Sequence, residues 1–461
     1  MKNATLLLIF TLFLLSFAAC NKDEDLTFDP NAKLSYSTDS VLFDTVFTAI
    51  GSTVRRVKIF NYNEKAINLD AIKINGGTSS PFAINVNGLP IIEGKNIKIN
   101  GKDSMNVLVR VNINPTLQNQ TFIVEDAISL SFNGKEEKIP LIAYGQNAIF
   151  LKNQSISAPT LWDSKLPYII SNSVTVEENA TLTIAAGTKV LFHNGATMNV
   201  KGTLTAAGTK RDTIVFASDR TERIYEEEPG QWNGIHFYGS SKNSVINHAT
   251  IKNGIAGITL DSLSLNSSPK LLLANTVIKN MQIVGLLGYH THLAAYNNLF
   301  YNCGQYLIYG IGGGEYDLAQ NTLGAYNYAF ARKTPAVHLS DWISNTAYAS
   351  LNATLTNNII WGSLEDELNI EKKSNAASII EVKNNLIKTT KEAFNTNGNV
   401  INKDPLFINP RQGNFKTSST SPAINKGENL INHPYFPSYL AKDMLQKQRL
   451  FPSELGCYEQ N

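Results

Sequence analysis

Tyr306, Tyr309, Tyr316, Trp342 and Trp361 fall in one late stretch of the chain, with Tyr326, Tyr328 and Phe330 among them. Flat aromatic faces can stack on sugar rings, which makes the first five candidate ligand-binding residues; stacking inside a core is the equal alternative. His290 and His292 sit two apart, so on a strand both imidazoles share a face and could ligate a metal. Two ligands are too few without partners, and stacked or surface imidazoles explain the pair as well. In Glu226-Glu227-Glu228, neighbouring side chains on a strand would point to opposite sides, which favours a solvated loop over a cation site. Gly312-Gly313-Gly314 lacks the Lys-Ser/Thr and helix of a phosphate loop.

These residues must be positioned by elements, and the chain is long enough for two or three domains, at 461 residues. A net charge of +2 with 17% charged residues offers no basic face for nucleic acid. Of the three cysteines, Cys303 and Cys457 read as separate buried thiols, since nothing in their spacing requires a pair.

The third, Cys20, closes a different pattern. Lys2 precedes an apolar run over 6–17, then come Ala18 and Ala19, then Asn21-Lys22-Asp23-Glu24-Asp25. That order reads as a signal peptide over 1–19, with a run too short to span a bilayer. Ala18-Ala19-Cys20 resembles a bacterial lipobox, which implies lipidation of Cys20 and the membrane as a partner. The charged residues after it, within a tether over 20–33, resemble the signal that sends some lipoproteins to the surface of the outer membrane. A periplasmic-facing anchor is the other option.

From 34 to 146 the pattern alternates as half-buried strands do, most clearly at Met105, Val107, Val109, Val111 and Ile113. Asn133-Gly134 suits the positive φ angles of a type I′ hairpin turn. Short strands with turns between them predict an immunoglobulin-like β-sandwich. The stretches 54–61, 103–115 and 127–145 resemble the Ig-like modules called ASH or choice-of-anchor domains, which implies a spacer or assembly role.

After residue 146 a repeat appears: His248-Ala249-Thr250-Ile251, Asn275-Thr276-Val277-Ile278, Asn297-Asn298-Leu299-Phe300, Gln320-Asn321-Thr322-Leu323, Asn357-Asn358-Ile359-Ile360 and Asn384-Asn385-Leu386-Ile387. The spacings are 27, 22, 23, 37 and 27 residues, the size of one coil of a right-handed parallel β-helix. Its strands cannot bury their apolar faces alone and stack on neighbouring coils. Asn at the turn can bond the Asn above and below in a ladder. The long gap predicts one loop insertion over 332–349. The fold class is therefore all-β, with the sandwich followed by a β-helix over 147–425 and a closing segment over 426–461.

The stretches 180–218 and 231–253 resemble the opening coils of pectate-lyase-like β-helix proteins. Those over 404–427 and 449–459 resemble the choice-of-anchor Q ending. The resemblance implies secreted, carbohydrate-related proteins, but one fold hosts many functions. A lyase on this scaffold needs a carboxylate neutraliser, such as Ca²⁺ on clustered acids, and an Arg or Lys base. A hydrolase needs paired carboxylates. Asp212, Asp219, Asp261, Asp317, Asp341 and Asp366 are scattered, and Arg211, Arg220, Arg223 and Arg332 are the available arginines.

No catalytic residue is therefore assigned. No cofactor is expected beyond Ca²⁺, and that only for a lyase. Ser40, Thr45, Ser104, Thr213 and Ser262 each follow an Asp and precede an aliphatic residue, which resembles periplasmic O-glycosylation sites; so short a motif arises about once by chance in such a chain. The expectation is a lipid-anchored envelope protein whose β-helix binds glycan or host matrix without catalysis. The alternatives are a polysaccharide lyase or hydrolase acting on acidic polysaccharide, and a structural partner of other envelope proteins.

Overall fold

Alternation of apolar and polar residues decides both domains, because on a strand it separates a buried face from a wet one. The computed structural model describes residues 25–327, 331–344 and 346–460, so the expected signal peptide over 1–19, Cys20, Tyr328 and Phe330 lie outside the described residues. The chain divides into two compact units at Asn147/Ala148.

In the first unit two five-stranded sheets share one core. Asp103–Val111 buries Met105, Val107, Val109 and Val111 and turns the residues between them outward. Asn133 and Gly134 have φ of 48° and 75°, as the hairpin turn requires. Not every pairing is antiparallel, for Val41–Phe47 runs parallel to Lys135–Gln146.

In the second unit 25 strands form one continuous sheet wound as a parallel β-helix of three faces. The first face stacks Thr197–Val200, Gly234–Phe237, Ala256–Asp261, the opening halves of Val284–Tyr296 and Tyr306–Ala319, then Val337–Ser340 and Leu368–Glu371. The second runs through Leu271–Ala274, the closing halves of the two long strands, and Leu351–Thr356. The third includes Val277–Met281, Leu299–Cys303, Thr322–Ala325 and Ile359–Gly362.

The turn between the second and third faces carries the repeat, and its two residues have separate duties. The second residue is the ladder. Asn298, Asn321, Asn358 and Asn385 each pass an amide N–H to the Oδ1 of the next Asn at 2.9–3.2 Å, the last to Asn399. The other amide N–H reaches a backbone carbonyl, at Leu273, Ala295, Leu318 and Leu355 in turn. The first residue takes positive φ, 54° at Asn297, 58° at Gln320, 59° at Asn357 and 52° at Asn384, and turns outward. There it holds the closing segment. Asn297 donates to the carbonyls of Tyr439 and Lys442, Gln320 to Ser453, Asn357 to Glu428 and Asn384 to Lys426.

That segment begins earlier than residue 426. The last stacked strand is Val400–Ile401, and Phe407 and Phe415 already pack on the third face against Leu299, Tyr301 and Tyr326. Farther on, Leu430, Tyr435, Tyr439 and Leu440 cover Leu272, Ala294 and Tyr296 on the second face. The closing segment is thus a strap over two faces, and its apolar contacts leave the first face uncovered. The predicted insertion is also two insertions. Val337–Ser340 is a stacked strand within it, and the extra residues are 326–336 before the strand and 341–350 after it.

Candidate glycan-binding face

On the uncovered face, register sets which side chains form a row. Asn199, His236, Thr259, Leu287, Tyr309, His338 and Asn369 follow one another along the axis, one per coil. Tyr306 joins the row through a bulge: the N–H groups of Leu307 and Ile308 both donate to the Ala336 carbonyl, so Tyr306 and Tyr309 emerge on one side despite a spacing of three. Their rings stack at 4.2 Å with 6° between planes. His338 lies 5.3 Å from Tyr309 and 5.9 Å from Tyr306, centroid to centroid.

Polar groups border this platform. Asn369 Nδ2 donates to His338 Nδ1 at 2.9 Å and to Glu371 Oε1 at 2.8 Å, and Lys391 donates to Asn369 Oδ1. The Asn369 hydrogen bond, with the charge of Lys373, holds the Glu371 carboxyl below its usual range. Burial holds His338 below the usual imidazole value against the pull of Glu371. Burial also raises the phenols of Tyr306 and Tyr309, so both stay hydroxyl donors. Trp342, on the insertion after this strand, lies beneath the Lys373 ammonium at 3.3 Å. Buried Asp341 fixes that segment by accepting from the N–H groups of Lys373 and Ser374.

Farther along the same face His236 stacks on Tyr238 at 4.1 Å and meets Asp261 at 2.7 Å. Asp261 and Glu371 are the carboxylates of the adjoining row, which runs Asp261, Tyr289, Ile311, Ser340, Glu371. Ile311 and Ser340 stand on the coils that pair Tyr309 with His338. Four coil steps of ~4.8 Å separate the two acids by about 19 Å, against the ~5–9.5 Å that paired hydrolase carboxylates need.

Of the five predicted aromatic residues, the structure brings Tyr306 and Tyr309 together and sets Trp342 on a loop at the same face. Tyr316 is not a platform: it points into the helix interior, where Gly288 and Gly310 leave room for its phenol. A Cβ on Gly310 would stand 2.5 Å from the Tyr316 Oη. Trp361 points outward from the third face, but the strap covers it through Ala423 and Leu455. His290 and His292 do not sit on one regular strand. The chain bends at His290, φ 46°, with a register shift beside it; His290 Nδ1 bonds the Gly312 carbonyl at 2.8 Å and His292 faces Glu315 at 3.4 Å. Among the described residues no three His, Cys, Asp or Glu side chains are grouped to hold a metal.

Glu227 of the acidic triplet pairs with Lys279 at 2.9 Å. Ser262 is exposed, while Ser40, Thr45, Ser104 and Thr213 are half-buried. Cys303 and Cys457 are buried free thiols. His338, Asn369, Glu371 and Lys391 escaped the sequence reading, because His338 falls inside the stretch taken as one insertion. The signal was there in Val337-His338-Leu339-Ser340, whose two aliphatic residues are buried.

Residues 154–260 match the family model described as pectate-lyase like beta helix domain. No curated protein matches the chain. Solved structures similar to part of it include the E. coli chaperone DraB, at 11% identity and TM-score 0.18 over 24% of this chain and 55% of that one. A family 123 glycoside hydrolase from Clostridium perfringens shows 10% identity and TM-score 0.19 over 28% and 30%. A protein of unknown function from Porphyromonas gingivalis W83 shows 9% and 0.19 over 28% and 57%. In each case the likeness spans well under two thirds of the other protein.

Proposed function

We propose that the chain binds polysaccharide along the uncovered face of its β-helix. One observation carries the reading: the strap packs over the second and third faces of the solenoid, and the first presents the stacked Tyr306 and Tyr309 with hydrogen-bonding groups at their edge. An aromatic platform takes the apolar face of a sugar, and His338, Asn369, Glu371 and Lys391 supply donors and acceptors for its hydroxyls. The pectate-lyase-like match fits a polysaccharide-related role. The separation of Asp261 from Glu371 favours binding over hydrolysis by that pair.

The lipobox-like Ala18-Ala19-Cys20 and the charged residues after it support the second part of the proposal, a lipid anchor that displays this face at the outer-membrane surface for adhesion. The test of the binding reading is a glycan array with the full chain and its Tyr306→Ala/Tyr309→Ala variant. A glycan hit that the variant loses at least tenfold supports it; no hit, or hits the variant keeps, overturns it. Release of the chain from membranes by Cys20→Ala is expected, and retention would refute the anchor.

A further inference from the structure

A second recess lies at the corner between the first and second faces, and coil lengths explain it. Two coils turn that corner with almost no loop, through His290 in one and through Gly312 and Gly313, φ 76° and 75°, in the other. The coil before them carries a loop over 262–270, and the coils after carry 341–350 and 372–379. Two loopless coils between loop-bearing ones leave a cleft of about 420 Å³, lined by Leu263, His290, Glu315, Ala349, Asn352 and Ala376 among others. That is within the usual ~300–1,000 Å³ of small-ligand sites and suits one compact molecule.

Two side chains of the cleft, His290 and Glu315, can accept hydrogen bonds. Because a carbonyl only accepts, His290 Nδ1 carries the proton it gives to Gly312, and in the neutral ring Nε2 is then the nitrogen with the lone pair. The Glu315 side chain is about half exposed, 49%, with His292 Nδ1 behind it at 3.4 Å, and burial lowers the basicity of that imidazole. Asn352 Oδ1 accepts from the Ile379 N–H, which leaves the Asn352 amide NH2 as a donor. Two lysines of the flanking loops are committed elsewhere. Lys270 is spent on the carbonyls of Tyr238, Gly239 and Ser241, and Lys373 lies over Trp342. Leu263, Ala349 and Ala376 make the sides apolar.

We infer that this cleft is a separate binding site for an amino sugar carrying a free ammonium group. Glu315 and His290 Nε2 receive the ammonium, and the aliphatic side walls pack on the ring. The inference rests on the polysaccharide reading for its choice of a sugar as the amine's carrier, and it is tested apart from the platform. The full chain is titrated calorimetrically with glucosamine and with N-acetylglucosamine, whose amide has lost the charge. Wild type is expected to bind glucosamine at least tenfold more tightly than the acetylated sugar. Glu315→Gln is expected to lose that preference while keeping the polysaccharide binding of the platform, which also shows that it folds. Tyr306→Ala/Tyr309→Ala is expected to lose polysaccharide and keep glucosamine. No glucosamine binding by wild type, equal binding of both sugars, or an unchanged Glu315→Gln overturns the inference; loss of polysaccharide binding alone would fall on the platform.

Discussion

At the scale of single residues, His338 joins the platform to the pH of its surroundings. Its Nδ1 accepts from Asn369, so the neutral ring is the one that holds Asn369 toward Glu371. Burial lowers His248, His292 and His338 from the ordinary 6.5. Below that value the unfolded chain takes up protons that the folded state resists, so stability falls as pH drops from 6.5 toward the folded values and is fully present above 6.5. Denaturant unfolding across pH 5–8 is expected to show this slope, and His338→Gln to reduce it. An unchanged slope in the variant would mean that His338 takes up its proton equally in both states. The residue scale also explains why Tyr316 misled the sequence reading. Its phenol fills space left by Gly288, on the neighbouring coil, and by Gly310, on the other half of its own bent strand, and a spacing count cannot register where that bend lies.

At the scale of elements, the paired turn residues from Asn297-Asn298 to Asn384-Asn385 do two jobs with two side chains. Asn321 sits mid-ladder: its Oδ1 accepts from the backbone N–H and the amide of Asn298, and its own amide donates to Asn358 Oδ1 and the Ala295 carbonyl. Asn321→Ala leaves those buried partners unpaired and is expected to cost about 2–4 kcal/mol, since each orphaned buried group costs ~1–3 kcal/mol. Chemical denaturation measures it, and a loss below about 1 kcal/mol would show that the ladder is replaceable. The ladder was readable in sequence because four coils in succession repeat it, at Asn298, Asn321, Asn358 and Asn385. The bulge that turns out Tyr306 was not, because it depends on how 307–308 meet the Ala336 carbonyl of another coil.

At the scale of the whole molecule, the strap decides which surface is free. Its Arg449 is wholly buried, bonded to Asn297 Oδ1 at 2.8 Å, to the Gly456 carbonyl and to Glu459. Removing one member of a buried ion pair costs ~3–5 kcal/mol, so Arg449→Ala is expected to loosen residues 403–461 ahead of the coils beneath. Hydrogen exchange should show lost protection in the strap and on Tyr296, Leu299 and Trp361, with little change in the first unit. Uniform loss across the helix instead would mean that strap and coils unfold together.

Sequence by itself determined the all-β class, the coil repeat and its ladder, because period and repetition are local properties that each segment carries. Tyr306 and Tyr309 were visible as candidates in the same way. Only the tertiary structure decided that these two share a platform while Tyr316 and Trp361 do not, and that His338, Asn369, Glu371 and Lys391 complete it. The physical reason is that a β-helix brings together residues one coil apart. Which of them meet depends on loop lengths at the corners, and which stay open depends on where the chain's own end is laid down.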